Sequence, residues 1–288
     1  MIDSLLDIAR FYNSENKNVP VYFRDGMAFF YDADKQISVV ARTFMQGMAK
    51  MTLGQLFGFK NLSDFEFSLE FKKAASIDAN LYSPKFITPL GTFKMPDAYM
   101  EDIGKILRCS GDNVIFNNWL TACSDGQSFA LIKMPFKWPI SFLIQTEFIR
   151  RAALIDDKLI NIDLNNERIQ FNFANICVSA PIVQDNSKRF NFGFLNHEFK
   201  PFEMRLNLQD IAMINQVNED GLLEMDGDYY SVGTSKHKVQ KSTVNCKLTV
   251  DSMRNVLSFT GDLYTKSESD LILRFESDTI IAGAAKCI

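Results

Sequence analysis

The sequence predicts an α+β protein built from repeated units, each with one amphipathic helix and a few antiparallel strands. Many short segments alternate apolar and polar residues, which is typical of half-buried strands. Segments with a single apolar stripe lie between them and are typical of helices that pack on a sheet. The six predicted helices begin near residues 2, 46, 98, 146, 208 and 251, so the unit recurs about every 50 residues.

The composition is that of a folded protein with a substantial core. The chain has 288 residues, of which 47% are hydrophobic and 23% are charged. This length suits two or three domains, and the hydrophobic content argues against disorder. The formal net charge is −4. A protein that bound nucleic acid over its whole surface would be basic, so any positive charge for that purpose must be concentrated on one face.

The five cysteines predict neither a disulfide framework nor a metal site. Cys109, Cys123, Cys177, Cys246 and Cys287 are odd in number and widely spaced, without a CxxC or Cys/His cluster. We therefore expect reduced, mostly buried thiols and no metal or other cofactor. The N-terminus has acids among its apolar residues, unlike a signal peptide, and no apolar run approaches the roughly 18 residues of a membrane span. A cytoplasmic or nuclear location, away from membranes, is expected.

The N-terminal third is predicted to contain two helices. The first covers residues 2–12. The second covers 45–57, although Gly47 and Gly54 each cost about 1 kcal/mol relative to alanine within a helix. The alternating segments predict strands at 19–23, 27–31, 37–41 and 65–71.

The middle third repeats this order of elements. Pro96-Asp97 predicts a helix start, and the helix from residue 98 has Met100, Ile103, Ile106 and Leu107 on its apolar face. A further helix is predicted over 146–156. The predicted strands are 93–95, 113–116, 129–133, 140–144, 160–164 and 169–173.

The last third carries the clearest signals. Asn207 is a suitable cap for a helix from residue 208, with Asp210 placed where the helix dipole favours an acid. Asp251 is a suitable cap for the last helix. Asp226-Gly-Asp228 predicts a hairpin turn. The predicted strands are 202–206, 222–225, 229–232, 244–250, 271–275 and 279–282.

Pairing neighbouring units predicts three domains of similar size, at 1–92, 93–190 and 191–288. The polar stretch 184–189 is suited to a linker between the second and third domains. The stretch 81–91, which contains Pro84 and Pro89, is a weaker boundary between the first and second domains.

The order of elements resembles that of the DNA sliding clamps, the ring-shaped processivity factors of DNA polymerases. In that family, half-domains of one helix and a strand ribbon pair into domains. The resemblance is carried by the last third, where the order strand, helix, ribbon, strand, helix, ribbon spans 202–287. It also covers 140–183 and the N-terminal helix with the following segment Arg24–Asp34.

The resemblance implies a non-enzymatic function and a set of partners. A ring-shaped homo-oligomer would encircle duplex DNA without reading its sequence, and short peptides of the polymerase and the clamp loader would bind to it. The chain is compact for a three-domain clamp, which implies a dimer, and long for a two-domain clamp, which implies a trimer. Partner peptides would dock near the second junction, around Phe190–Phe194, and near the C-terminal Cys287-Ile288. A buried or edge strand is the simpler interpretation of Phe190–Phe194.

A clamp of this kind needs basic residues on the helix faces that line its channel. Lys105 and Arg108 lie opposite the apolar stripe of their predicted helix, and Arg150 and Arg151 lie near the face opposite Phe148 and Ala152. All four are expected to point away from the sheet. Acids at Asp3, Asp7, Glu101 and Asp102 dilute this charge, and any solvated helix face shows such a pattern. Glu147 and Arg151 can form an ordinary i,i+4 pair. The residues predicted to face DNA are Arg10, Lys50, Lys105, Arg108, Arg150, Arg151 and Arg254.

Signals for an enzyme are weak. The sequence lacks a phosphate-binding glycine loop and a G-x-S-x-G serine motif, and His197 and His237 have no metal-ligand spacing around them. We therefore predict that the protein is not an enzyme. Three alternatives stay open: a β-rich viral structural or assembly protein, a hydrolase whose carboxylates meet only in the fold, and a monomeric processivity factor. The divergence from cellular clamps also suggests a viral origin.

Overall fold

The computed structural model describes residues 3–12, 17–43, 45, 48–59, 87–184, 192–217, 221–232 and 235–287. The chain forms two compact units, Met1–Met100 with Glu147–Val183, and Glu101–Thr146 with Gln184–Ile288. The α-helices within the described residues are α1 (Asp3–Tyr12), α2 (Leu53–Gly58), α3 (Tyr99–Ile106), α4 (Thr146–Ala152), α5 (Leu208–Gln216) and α6 (Val250–Val256). None of these helices is long and apolar enough to cross a membrane.

The first unit is built on an eight-stranded sheet. Its strands are β1 (Pro20–Arg24), β2 (Met27–Asp32), β3 (Ile37–Arg42), β4 (Met48–Thr52), β5 (Gly91–Phe93), β10 (Leu159–Leu164), β11 (Arg168–Phe173) and β12 (Ile176–Pro181). Their order across the sheet is β4-β1-β2-β3-β12-β11-β10-β5, and neighbouring strands are antiparallel.

The second unit contains a nine-stranded sheet, a four-stranded sheet and a two-stranded ribbon. The large sheet has the order β13-β9-β6-β7-β8-β23-β22-β21-β14, the small sheet β18-β17-β16-β20, and the ribbon β15-β19. The remaining bounds are β6 (Asn113–Asn117), β7 (Leu120–Ser124), β8 (Ser128–Lys133), β9 (Phe142–Gln145), β13 (Val183–Gln184), β14 (Lys200–Pro201), β15 (Met204–Arg205), β16 (Leu222–Asp226), β17 (Tyr229–Val232), β18 (Ser235–Lys238), β19 (Lys241–Ser242), β20 (Asn245–Thr249), β21 (Thr265–Glu268), β22 (Ile272–Glu276) and β23 (Ile280–Ala285).

Tight turns follow from residues that tolerate positive φ. Asp25 and Gly26, at φ 49° and 80°, join β1 to β2, which is the Asp-Gly chemistry of a two-residue hairpin. Gly227, at φ 54°, lies in the predicted turn between β16 and β17. Between β10 and β11, the Asn165 side chain accepts hydrogen bonds from the backbone N–H groups of Glu167 and Arg168. Local sequence therefore sets the register of these three hairpins.

Each unit has its own aromatic core. In the first unit the Phe148 ring lies 5.7 Å from Phe11 and 5.8 Å from Phe171, so α4 and α1 pack on the sheet through edge-on ring contacts. In the second unit the Phe116 ring stacks on Phe142 at 4.7 Å and meets Trp138 edge-on at 5.2 Å. Contacts of this kind add about 0.5–1.5 kcal/mol per pair to the energy of apolar burial.

The helix predicted over 45–57 is wrong in its first half. Residues Met48–Thr52 form strand β4, in which Ala49 and Met51 are buried beside β1. The helix begins only after Thr52, whose side chain accepts a hydrogen bond from the backbone of Gln55 while the Gln55 side chain bonds back to Thr52. This capping box fixes the start of α2 and places Lys50 on a strand.

Other differences concern short segments. Residues Phe192–Asn196 form a 3₁₀-helix rather than the strand predicted around Phe190–Phe194, and the strand predicted over 202–206 is reduced to β15. Strands β7 and β12 were not predicted as separate strands. The strand predicted at 65–71, most of the boundary at 81–91 and residues 185–189 of the predicted linker lie outside the described residues.

Strand pairs join segments from different predicted domains. In the first unit β3 pairs with β12, which places residues of predicted domain 1 beside residues of predicted domain 2. In the second unit β8 pairs with β23, which does the same for predicted domains 2 and 3. The division into three domains stays a prediction.

Candidate nucleic-acid interface

The helix α3 carries one of the predicted DNA-facing residues, Lys105, on its solvent side. Its opposite side is buried through Tyr99, Ile103 and Ile106. The ammonium group of Lys105 lies 2.8 Å from Glu101 and 3.2 Å from Asp102, and the hydrogen bond to Glu101 is the main reason that the pKa of Lys105 is raised. The positive charge of Lys105 is therefore largely matched within its own helix.

Arg108 follows α3 in the 3₁₀ turn Leu107–Cys109, between two buried residues. Its side chain is exposed and makes no ion pair within the described part of the chain. Among the predicted DNA-facing residues with described side chains, it is the arginine best placed to reach a phosphate in solvent.

The two arginines of α4 have different environments. Arg150 is exposed and lies 3.4 Å from Glu147. Arg151 is 5% exposed. Its Nε donates a 2.7 Å hydrogen bond to Glu147, and its Nη1 donates a 2.9 Å hydrogen bond to the backbone carbonyl of Tyr12 in α1. The expectation that Arg151 points away from the sheet is therefore wrong, because its guanidinium group links α4 to α1.

The remaining predicted residues are Arg254, Lys50 and Arg10. Arg254 on α6 is half-buried; its Nε donates to the carbonyl of Ile214 at 3.1 Å and its Nη1 to Asp251 at 2.8 Å. Lys50 lies on β4, with its Nζ 5.5 Å from the centre of the Tyr22 ring. Arg10 belongs to α1, but its side chain lies outside the description. A DNA-facing role for these residues stays a prediction.

A second feature, which the sequence did not single out, is a buried apolar cluster on one face of the nine-stranded sheet. Register places Leu143, Ile115, Ala122, Leu131 and Ile281 in one row across β9, β6, β7, β8 and β23. Phe129 and Ile272 complete the cluster, and the partly buried Leu195 and Phe199 pack against it. We call this the apolar face. The continuous apolar run Phe129–Ile132 was a usable signal, because such runs indicate strands covered on both sides.

The turn between β7 and β8 is fixed by a polar network. Asp125 accepts hydrogen bonds from the backbone of Gln127 and Ser128, from the hydroxyl of Ser128 and, at 2.8 Å, from the Asn255 amide on α6. Asp125 therefore anchors the turn to α6.

The residues that the structure describes contain no group of three or more His, Cys, Asp or Glu that could hold a metal ion.

The fold has close counterparts among solved structures. The DNA polymerase III subunit beta of Borrelia burgdorferi, in complex with a natural product, matches with a TM-score of 0.73 and 9% identity over 100% of this chain and 96% of that chain. The DnaN sliding clamp of Pseudomonas aeruginosa bound to griselimycin matches with a TM-score of 0.71 and 10% identity over 100% and 97%. The Helicobacter pylori beta clamp bound to a DNA ligase peptide matches with a TM-score of 0.68 and 8% identity over 99% and 97%.

No protein-family model and no curated protein sequence matches the chain. The likeness is therefore one of structure, and at this identity it establishes the fold. The three structures named above are of bacterial proteins, and they give the predicted viral origin and the viral structural alternative no support. Together with the strand order and helix placement, they establish that this chain has the fold of the DNA polymerase III beta subunit, the sliding clamp, as its order of elements predicted.

Proposed function

We propose that this protein is a DNA sliding clamp that encircles duplex DNA and tethers a DNA polymerase during replication. The observation that supports this function best is the length of the structural match, which covers the whole chain and 96% of the Borrelia burgdorferi subunit. A match over part of the chain would support one shared domain, whereas this match relates all of the given chain to the clamp fold. On this proposal the protein acts in the cytoplasm and performs no chemistry of its own.

The charges of the described helices are consistent with sliding rather than tight binding. On α3, Glu101 and Asp102 pair with Lys105, so the main uncompensated cation there is Arg108 in the following turn. On α6, Asp251 offsets Arg254. Each neutralised phosphate releases counterions and strengthens binding, so few unpaired cations imply weak contact with the DNA backbone and a shallow dependence of binding on salt. Weak contact with phosphates and none with bases is what movement along DNA requires.

The proposed function requires several copies of the chain to assemble into a closed ring. With three domains per chain, two chains would form the ring, and a clamp loader would be needed to open it. Light scattering should give twice the chain mass, and the protein should remain on closed circular DNA but leave the same DNA once it is linearised. A trimer would favour two domains per chain. A monomer, or equal retention on circular and linear DNA, would exclude encirclement.

We further propose that polymerase peptides dock on the apolar face. The Helicobacter pylori clamp was solved with a DNA ligase peptide, which makes a short peptide a suitable occupant. Leu195 and Phe199 are only partly buried against the cluster, so a peptide can add contacts there without opening the core. Arg274 lies 4.9 Å from the Phe199 ring, and its guanidinium group is paired with Glu276. An apolar peptide would fit this site.

The peptide site can be tested with overlapping peptides from the replicative polymerase of the source organism. Phe199→Ala should weaken binding of the recognised peptide by about tenfold, because truncating a central aromatic contact typically costs 1–2 kcal/mol or more. Leu154→Ala, at a leucine that is 57% exposed in the other unit, is the matched control and should bind as wild type does. Fluorescence anisotropy measures both. Equal affinities for the two variants would exclude the apolar face as the docking surface.

A further inference from the structure

A cleft of about 210 Å³ lies in the second unit beside the ribbon β15-β19. The loop Gly261–Tyr264 and the first residues of β21 form its other side. The volume equals that of several water molecules, each of which occupies about 30 Å³ in the liquid, and so leaves room for a small anion. The polar residues lining it are Glu203, Arg205, Lys241, Asp262, Tyr264 and Lys266.

The ribbon brings two cations together. Arg205 on β15 lies directly opposite Lys241 on β19 in the antiparallel register. Like charges at directly opposed positions of a strand pair are destabilising. Glu203 relieves part of this repulsion through an ion pair with Lys241. Asp262 lies 3.9 Å from Arg205, but both side chains are mostly exposed, so this pair contributes little.

Lys266 adds a third cation from the opposite wall. Its ammonium group donates hydrogen bonds to the backbone carbonyls of Gly261, at 3.1 Å, and Tyr264, at 3.5 Å. Its closest described contacts are therefore neutral oxygens rather than carboxylates. Burial is the main reason that the pKa of Lys266 is lowered, with the charge of Arg205 acting in the same direction and Asp262 opposing it. The cleft thus has three cations and two carboxylates. Of the three cations, the Lys266 ammonium group is the one whose charge is least compensated.

We propose that this cleft binds one phosphate-type oxyanion between Arg205, Lys241 and Lys266. An arginine and two lysines supply charge-assisted donors from three directions, which suits a tetrahedral anion better than a planar one. An anion held there would remove the repulsion between Arg205 and Lys241. The phosphate comes from one of two sources, the DNA backbone or free phosphate in solution. Assigning it to the DNA backbone rests on the proposed function; the oxyanion site itself does not.

The site is tested first with inorganic phosphate alone, titrated calorimetrically into the full chain at low ionic strength. We expect saturable binding of one phosphate per chain, with acetate binding more weakly. Arg205→Gln and Lys266→Gln should each weaken phosphate binding by about tenfold, the value of one charge-assisted hydrogen bond. Lys137→Gln removes the same charge from an exposed loop of the same unit and should leave binding unchanged.

The Lys266 variant also loses two hydrogen bonds to the loop, so thermal melting must accompany the titration. Arg205 is exposed, and its variant is expected to fold as wild type does. Absence of saturable phosphate binding by the wild-type chain would overturn the proposal. Acetate affinity equal to that of phosphate, or equal losses in the Arg205 and Lys137 variants, would overturn it as well.

A second arm distinguishes the two sources of phosphate. Binding of a short linear duplex is measured against salt concentration for wild type and Arg205→Gln. A smaller salt dependence, with a slope lower by about one, would assign the phosphate to the DNA backbone. An unchanged slope with weakened phosphate binding would support a site for free phosphate. Neither arm requires encirclement, so a monomeric chain that binds phosphate would keep the site and exclude the ring.

Discussion

Arg151 illustrates how one residue can serve the fold instead of a ligand. Sequence spacing identifies it as a basic residue on a helix and also predicts the ordinary pair with Glu147 four residues earlier. Sequence spacing does not show where α1 lies. The backbone carbonyl of Tyr12, at the end of α1, accepts the second hydrogen bond of the Arg151 guanidinium group. The role of Arg151 could not be predicted because it depends on a contact between two helices that are distant in the sequence.

We expect Arg151→Ala to lower the free energy of unfolding by about 1.5–3 kcal/mol, since hydrogen bonds that involve a charged group contribute that much. The neighbouring Arg150→Ala should change it by less than about 1 kcal/mol, because Arg150 forms only an exposed ion pair. Urea denaturation of both variants measures the difference. Equal effects would mean that the bond to Tyr12 contributes nothing to stability.

At the scale of elements, strongly periodic segments were predicted well. Helices α3, α4, α5 and α6 begin within one residue of their predicted starts. The helix at 45–57 failed because the pairing of β4 with β1 outweighed an apolar pattern that suited both structures. The 3₁₀-helix at Phe192–Asn196 was missed because alternating aromatic residues resemble a strand. The apolar face was missed because it exists only once five strands are in register.

Two glycines allow a matched test of strand and helix packing. A β-carbon on Gly283 in β23 would lie 2.6 Å from the carbonyl oxygen of Leu273 and 2.6 Å from the Phe129 ring. Gly283→Ala should therefore destabilise the protein by about 1–3 kcal/mol through overpacking. Gly104→Ala, in α3, meets nothing within 4 Å and should stabilise it by about 0.5–1 kcal/mol.

Thermal melting of the two glycine variants should show shifts of opposite sign. A wild-type melting temperature for Gly283→Ala would mean that β23 does not approach β22 and Phe129 as closely as described. The same variant should also weaken peptide binding on the proposed surface, since Phe129 belongs to the apolar face.

At the scale of the whole molecule, the fold is retained while most residues differ. The match to the Borrelia burgdorferi subunit covers the full chain at 9% identity. In this chain the clamp fold was predicted from the spacing of helices and the alternation of strands, which do not depend on particular residues being retained. The stoichiometry of the ring depends on contacts between chains, and the DNA-facing residues depend on how charges are distributed over the surface. The stoichiometry and the DNA-facing residues remain predictions.

The pairing of β3 with β12 has a consequence for synthesis of the chain. All of β4 to β11 lies between these two strands in the sequence, so β3 leaves the ribosome long before its partner exists. Its residues Ile37-Ser-Val-Val-Ala41 are almost all buried in the finished sheet, and such an unpaired apolar edge can pair with another chain. Long-range strand pairing is also slow. This edge of newly made chains is therefore vulnerable to aggregation until β12 has been translated.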